Sequence, residues 1–225
     1  MKKIIIVVFI LSGVCFGSVR MEEKIGEYGK EITLKNQFLS LTIYPELGGR
    51  IGKLIDLKSG TNMVFFDYPP DHPKWKGGLG GALDDRRGLF RKYDYKVMKN
   101  TEKELSLYLK GPLEEDKILI EKIITLKDNS PSISVEYHYS NYSQKETGSY
   151  ELAIRNFFWP SGNPPDWSNE KLFIPTIKTV REIGDNTSLP EELKSKFQLE
   201  IIPTWNAFID KKNKRGLVFS FQDNF

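Results

Sequence analysis

Short segments in which apolar and polar residues alternate are the sequence feature that most constrains the fold of this chain. Three of them are regular over seven to nine residues: 37–44, 104–110 and 132–140. A period of two is typical of β-strands that bury one face and leave the other in water. Helical periodicity is confined to one short stretch, 190–197. The chain is therefore predicted to be all-β, and an antiparallel sandwich is the favoured architecture.

Turn residues place further strands around these three. Asp128-Asn129-Ser130-Pro131 separates 117–127 from 132–140 and predicts a hairpin. The other expected strands are 51–58, 62–66, 93–99, 149–158, 199–209 and 215–222. Two long aromatic loops, 67–90 and 159–169, interrupt the strands, and loops of this length in a compact domain are usually functional or disordered.

The first seventeen residues have the order of a secretory signal peptide. Lys2 and Lys3 precede an apolar run over 4–11, and small residues follow as far as Ser18. The run is shorter than the roughly 20 residues that span a bilayer, so we expect cleavage, export to the periplasm or cell exterior, and no membrane span afterwards. A lipoprotein attached through Cys15 is the disfavoured alternative, because Val14 precedes this cysteine.

The rest of the chain is predicted to be a flexible polar leader, 18–30, and a single sandwich domain, 31–225. Thirty-three Lys and Arg against 30 Asp and Glu give a net charge of only +3. The two signs are interleaved, which argues against a nucleic-acid partner. Cys15 is the only cysteine, so neither an intrachain disulfide nor a cysteine metal site is available, and we expect no metal and no cofactor.

Three segments carry a family resemblance. The first, 36–66, contains Pro45-Glu46-Leu47-Gly48-Gly49-Arg50-Ile51 followed by LKSG. The others are 121–143 (EKIITLKDNSPSISVEYHYSNYS) and 203–221 (PTWNAFIDKKNKRGLVFSF). In this order they resemble the galactose-mutarotase-like (aldose 1-epimerase-like) superfamily, in particular its uncharacterised periplasmic branches. The resemblance implies an antiparallel β-supersandwich with a carbohydrate groove on the concave face of a large sheet.

The catalytic pattern of that superfamily is not reproduced. Aldose epimerases use a histidine acid and a glutamate base, because ring opening requires proton transfer. The segment that best matches the histidine motif, 154–160 (IRNFFWP), has no histidine, and Arg155 can bind but cannot exchange protons near neutral pH. The glutamate would lie in a C-terminal strand. Since the chain stops at Phe225, we expect the supersandwich to be incomplete there.

The candidate site residues are those whose side chains could line a sugar-binding groove with hydrogen-bond donors, hydrogen-bond acceptors or flat aromatic rings. Gly48-Gly49 would aim Arg50 from a fixed turn, with a structural salt bridge as the alternative. Tryptophan rings stack on pyranose rings. The predicted ligand-binding set is Arg50, Trp75, Asp85, Arg86, Arg155, Asn156, Trp159 and Trp205. His72 is the candidate acid or base, since imidazole titrates near neutral pH, whereas His138 is expected on a solvated strand face beside Glu136.

Three functions remain open. The favoured one is an exported protein that binds a mono- or oligosaccharide on the concave sheet face. The first alternative is an epimerase, mutarotase or polysaccharide-processing enzyme of the same fold. The second is a non-enzymatic interaction domain of the cell envelope, which would present a flat aromatic patch in place of a polar groove.

Overall fold

A computed structural model of the chain gives the arrangement of most predicted strands. It describes residues 3–9, 18–64, 66–67, 79–83, 91–113, 117–143, 158, 160–162, 169–175, 180–183 and 205–224. Within these ranges sixteen strands form three antiparallel sheets, which confirms the predicted all-β, antiparallel class. No helix in this part of the chain is long and apolar enough to cross a membrane.

The strands follow the predicted segments closely where alternation was regular. In chain order they are β1 (Lys3–Phe9), β2 (Arg20–Gly26), β3 (Gly29–Lys35), β4 (Leu39–Tyr44), β5 (Arg50–Asp56), β6 (Thr61–Asn62), β7 (Phe66–Asp67), β8 (Leu79–Gly80), β9 (Asp94–Asn100), β10 (Glu104–Lys110), β11 (Ile118–Lys127), β12 (Ser132–Asn141), β13 (Glu170–Pro175), β14 (Val180–Ile183), β15 (Trp205–Asp210) and β16 (Arg215–Asn224). The expected strand 62–66 is divided between β6 and β7. Strand 149–158, apart from Phe158, and the helix 190–197 lie outside the described residues.

A large and a small sheet make up most of the structure. The large sheet has the order β14-β13-β15-β16-β1-β12-β11-β10-β9, and the small sheet has the order β2-β3-β4-β5-β6. A separate pair is formed by β7 and β8. Strands β9 to β12 form a meander, as do β2 to β6, so each sheet contains a block of sequence-local hairpins.

The apolar faces of the two sheets pack against each other. Alternate residues of the strands point inward, as the period of two predicts. The buried cluster includes Ile32, Leu34, Leu39, Leu41, Ile43 and Leu54 from the small sheet and Leu105, Leu107, Leu109, Ile124, Leu126, Ile133, Val135, Tyr137, Leu217 and Phe219 from the large sheet. The core therefore uses the faces that the alternation identified.

Residues 18–30, expected to be a flexible leader, contain an ordered strand. β2 pairs with β3 from Arg20↔Lys35 to Gly26↔Gly29. Most β2 side chains are exposed on both faces of the strand. An edge strand of this kind has no apolar alternation, which explains why the sequence pattern did not reveal it.

The segment expected to be the core of a signal peptide lies in the large sheet. β1 pairs with β12 from Lys3↔His138 to Phe9↔Ser132, and with β16 from Lys3↔Asn224 to Phe9↔Val218. Isoleucine, valine and phenylalanine favour β-strands, so the same residues suit either environment.

Buried polar side chains connect the ends of the two sheets. The Asn36 amide nitrogen donates to the carbonyl oxygens of Lys127 (2.7 Å) and Ser130 (2.8 Å), and its Oδ1 accepts from the backbone N–H groups of Phe38 and Leu39. One buried amide therefore joins the β3–β4 turn to the β11–β12 turn.

A second connection involves the β15–β16 turn. The buried Asp210 carboxylate accepts from Asn213 N–H (3.1 Å) and Asn213 Nδ2 (2.7 Å), and lies 3.2 Å from Arg215 Nη2. Arg215 also donates to Ser59 Oγ, in the turn before β6, and to Thr61 Oγ1, the first residue of β6. Although burial raises the pKa of Asp210, the hydrogen bonds from Asn213 and Arg215 outweigh it and leave this pKa below its ordinary value.

We predict that Asp210→Asn lowers the free energy of unfolding at neutral pH by about 1–3 kcal/mol, because it leaves buried donors without their charged acceptor. A lowered carboxylate pKa gives stability that is present above the ordinary value of 3.8 and lost as pH falls through the folded-state pKa. Urea unfolding at neutral pH and below 3.8 should therefore show a weaker acid dependence in the variant. Glu102→Gln, in an exposed turn, is the charge-matched control. An unchanged acid dependence in Asp210→Asn would contradict this assignment.

Candidate functional site

The Pro45–Arg50 turn, on which the family resemblance rests, is held by contacts to the large sheet. Gly48 and Gly49 have φ values of 77° and 61°, which glycine adopts without strain. A Cβ atom on Gly49 would lie 3.3 Å from the side chains of Leu109 and Tyr93. The turn therefore needs glycine both for its backbone conformation and for its close approach to the core.

Arg50 is the one predicted site residue whose side chain lies within the described part of the chain. It is only 1% exposed, and its Nε donates to the Leu47 carbonyl at 2.8 Å. A Cβ atom on Gly81 would lie 3.0 Å from Arg50 Cδ, so the arginine packs closely against the β8–Ala82 segment. The buried guanidinium thus stabilises the turn through this hydrogen bond and through its packing.

Lys122, in the middle of β11, is completely buried beneath the same turn. Its Nζ donates to the carbonyls of Gly48 (2.8 Å) and Leu83 (2.9 Å). The ammonium group also lies 4.9 Å from the centre of the Tyr93 ring and 5.6 Å from that of Tyr137. These contacts replace its hydration and fix the turn against the large sheet.

A cavity of about 400 Å³ lies on the outer side of the turn. It is lined by Lys30, Pro45, Glu46, Lys92, Tyr93, Asp94 and Tyr95. Lys30 Nζ donates to Tyr95 Oη (2.6 Å), which donates to Glu23 Oε2 (2.9 Å), and the bond with Tyr95 raises the pKa of Lys30. Lys30 is thus held by the wall of the cavity.

The polar face of the large sheet brings acid, base and phenol groups together. Residues that pair directly across antiparallel strands point to the same side of the sheet. Glu121 pairs with His138, and Ile123 pairs with both Tyr108 and Glu136. The polar-face cluster, defined here as Tyr108, Glu121, Glu136 and His138, therefore occupies one face of β10, β11 and β12, opposite the core.

Tyr108 and Glu121 form one half of this cluster. Tyr108 Oη donates to Glu121 Oε1 across a diagonal of the β10–β11 ladder, and Lys96 Nζ lies 4.8 Å from the centre of the Tyr108 ring. Burial, together with the hydrogen bond to Glu121, raises the pKa of Tyr108 to about 12. The phenol consequently stays protonated and remains a donor at physiological pH.

Glu136 and His138 form the other half. His138 Nε2 lies 2.8 Å from Glu136 Oε1. The His138 side chain is 15% exposed and the Glu136 side chain is 27% exposed. Solvent and ligands can therefore reach the pair only in part. No group of three potential metal ligands occurs among the described residues.

Most of the predicted site lies outside the described residues. This applies to His72, Trp75, Asp85, Arg86, Arg155, Asn156 and Trp159. Trp205 begins β15 and pairs with Ser220 of β16. In β16 the adjacent residue Phe219 and, two positions earlier, Leu217 belong to the core. Along the sheet Ser220 pairs with Val7 and Val7 with Ser134, so Trp205 and Ser134 occupy the same row.

The cluster could have been found from the sequence through the register of the predicted hairpin. In this hairpin, residues at equal distances before and after the 128–131 turn pair with each other. Counting outward from the turn therefore places Glu121 opposite His138. The alternation already placed Glu136 and His138 on the polar face. Tyr108 required knowledge of the β10–β11 register, which no short turn determines.

Comparison with known proteins supports the fold. No protein-family model and no curated protein matches the chain. The structure of HI1317 is similar with 10% identity and a TM-score of 0.55, over 94% of this chain and 79% of HI1317, and the two share a fold. A TPR-domain containing protein from Parabacteroides distasonis has 14% identity and a TM-score of 0.49 over 80% of this chain, which spans only 31% of that protein. A galactose mutarotase-like protein from Clostridium acetobutylicum has 13% identity and a TM-score of 0.47, over 89% and 77% of the two chains.

We predict that Tyr108→Phe reduces the phenolate absorbance that develops near pH 12 in an alkaline titration by the contribution of one tyrosine. A raised phenol pKa gives stability that is present below the unfolded value of about 10 and lost as pH rises towards 12. Near neutral pH, the loss of the bond to Glu121 should cost about 1.5–3 kcal/mol in urea unfolding. Tyr142→Phe removes an exposed phenol and should leave the late component intact. Burial also raises the pKa of Tyr44, which contributes late absorbance to both proteins, so a late component of undiminished size in Tyr108→Phe would refute the bond.

Proposed function

We propose that the chain is an exported carbohydrate-binding protein of galactose-mutarotase-like fold that holds its sugar on the concave, polar face of the large sheet. The observation that carries this proposal is the polar-face cluster. It places two carboxylates, an imidazole and a phenol on three adjacent strands, on the side of the sheet that faces away from the core.

The chemistry of the cluster suits sugar hydroxyls. Carboxylate oxygens accept hydrogen bonds, imidazole donates or accepts, and a hydroxyl group of a sugar can do both. Binding sites for small polar ligands usually combine a few such groups with aromatic surface. We propose Trp205 as the stacking surface, because its row reaches Ser134 across three strand spacings, about 14 Å. A span of this length favours an oligosaccharide over a single ring.

The loop residues predicted from the sequence complete the proposed site. Trp75, Asp85, Arg86, Arg155, Asn156 and Trp159 are proposed as further ligand contacts from segments that flank the described strands. Arg50 is proposed to act through the turn, since its buried guanidinium bonds to the Leu47 carbonyl. The proposed export rests on the charged start, apolar run and small residues of 1–17.

We predict that an oligosaccharide gives a saturation-transfer NMR signal with this protein and that Glu121→Gln and Trp205→Ala each weaken its binding at least about tenfold. Each loss removes a hydrogen bond to a charged acceptor or a stacking surface. Arg155→Ala tests the loop contacts in the same way.

Lys127→Gln, an exposed charge at the far end of β11, is the matched control and should bind normally. Binding that survives Glu121→Gln and Trp205→Ala together would contradict a sugar site on this face. Absence of transfer from a cooperatively folded sample, over mono- and oligosaccharides, would favour the envelope interaction domain.

The Glu136–His138 pair favours a second function, proton transfer to a bound sugar. His138 lies 2.8 Å from the Glu136 carboxylate. It would accept the proton of the anomeric hydroxyl as the C1–O5 bond of the sugar breaks, and a water molecule would supply the proton that the ring oxygen gains. The protein would then be an epimerase, mutarotase or polysaccharide-processing enzyme. This assignment places the acid–base group on β12, whereas the sequence suggested His72.

We predict, for this second function, that His138→Asn abolishes anomer exchange measured by polarimetry or NMR while oligosaccharide binding falls less than about tenfold, because proton transfer contributes to rate far more than to affinity. His72→Ala is the competing variant. Full activity in His138→Asn with loss in His72→Ala would move the acid–base role back to the loop.

A further inference from the structure

The large sheet contains a position that only the N-terminal segment fills. Among the described strands, β14, β13, β15 and β16 form one block, and β12, β11, β10 and β9 form the other. β1 lies between them and pairs with each over seven residues. The slot, defined here as the space between β12 and β16, thus presents two strand edges.

The slot accepts apolar residues at alternate positions. Ile133, Val135 and Tyr137 of β12 and Leu217 and Phe219 of β16 are buried in the core. The register puts Val8, Ile6 and Ile4 opposite the three β12 residues. The positions between them pair with Ser134, Glu136 and His138, on the polar face. The slot therefore specifies both a direction, antiparallel to both neighbours, and an alternating apolar pattern.

The same residues form the apolar run of the predicted signal peptide. If 1–17 are removed during export, both edges lose their partner, and unpaired backbone groups on two long strands are a template for another strand. This step of the inference rests on the export part of the proposed function.

We propose that the slot is a strand-acceptor site. Lys3–Phe9 fills it in the uncleaved chain. After cleavage it takes up an extended segment of another polypeptide with branched apolar residues at alternate positions, by β-strand addition. Because the slot separates the polar-face cluster from Trp205, its occupant would also determine whether the two parts of the proposed sugar surface are joined.

The first test measures whether β1 has the described register. In a Cys15→Ser background of the full chain, Ser134→Cys is combined with Val7→Cys, with Val8→Cys or with Thr125→Cys. Directly paired residues are within the Cα separation that a disulfide needs, whereas a shift of one residue turns a side chain to the other face. Val7 and Thr125 both pair with Ser134.

We expect the Val7 and Thr125 combinations to oxidise to similar extents and the Val8 combination roughly tenfold more slowly. Oxidation of the Thr125 combination shows that the Ser134→Cys chain folds and that the method works. If it oxidises and the Val7 combination does not, β1 does not occupy the slot and the proposal fails.

The second test opens the slot. A protease site is placed between Gly17 and Ser18 of the full chain, and the folded protein is cut. The freed 1–17 segment is displaced in mild urea and removed by gel filtration, and a fluorescent peptide with the sequence of 2–10 is added after the urea is diluted. We expect saturable uptake, retained when the peptide carries Val7→Asp and lost when it carries Val8→Asp, because only Val8 pairs with the buried Ile133. Equal uptake of the Val7→Asp and Val8→Asp peptides would overturn the strand-acceptor site. Failure of the unsubstituted peptide to bind would overturn it as well.

Sugar binding measured on the same samples separates the two proposals. The polar-face cluster lies on β10 to β12 and does not include β1. Peptide uptake without sugar binding would contradict only the sugar site, and sugar binding without peptide uptake would contradict only the slot.

Discussion

The buried ammonium group of Lys122 is the interaction on which the joining of the two sheets depends. Removing a charge from water costs several kcal/mol unless hydrogen bonds and aromatic faces replace its hydration. Here the Gly48 and Leu83 carbonyls accept hydrogen bonds from the ammonium group, and the rings of Tyr93 and Tyr137 pack against it. Gly48 belongs to the β4–β5 turn of the small sheet, and Leu83 follows β8. Lys122 thus connects three parts of the structure at one atom, and it is satisfied only when all three are in place.

The polar-face cluster follows from the same strand that carries Lys122. β11 directs Lys122 to the core and Glu121 to the opposite side, because successive side chains of a strand alternate. The core contact and the proposed ligand surface are therefore one residue apart. The position of Glu121 relative to His138 depends on a register that the core fixes, since a slip of one residue would exchange the two faces.

The sequence predicted those parts of the fold in which burial leaves a pattern. Alternation identified β4, β10 and β12, and the turn at 128–131 identified the β11–β12 hairpin. β2 was missed because an exposed edge strand has no apolar face. The run that forms β1 was also predicted to be the h-region of a signal peptide, because isoleucine and valine suit both an h-region and a central strand.

The candidate site depends on pairing between strands, which leaves less of a pattern in the sequence than burial does. The alternation placed Glu136 and His138 on the polar face, but their relation to Glu121 and Tyr108 comes from pairing between strands. Arg50 was expected to face a ligand, because a turn fixed by two glycines can hold the following arginine side chain in one orientation. The structure shows that the glycines instead let the turn approach the core, a constraint that lies in tertiary packing.

Asn36 also bears on the order in which the molecule assembles. The meanders β2–β6 and β9–β12 are built from hairpins close in sequence, and such contacts form quickly because little loop entropy is lost. The bonds from Asn36 to Lys127 and Ser130 span more than ninety residues. Because these bonds lose more loop entropy than the hairpin contacts, we expect them to form after the two meanders have formed.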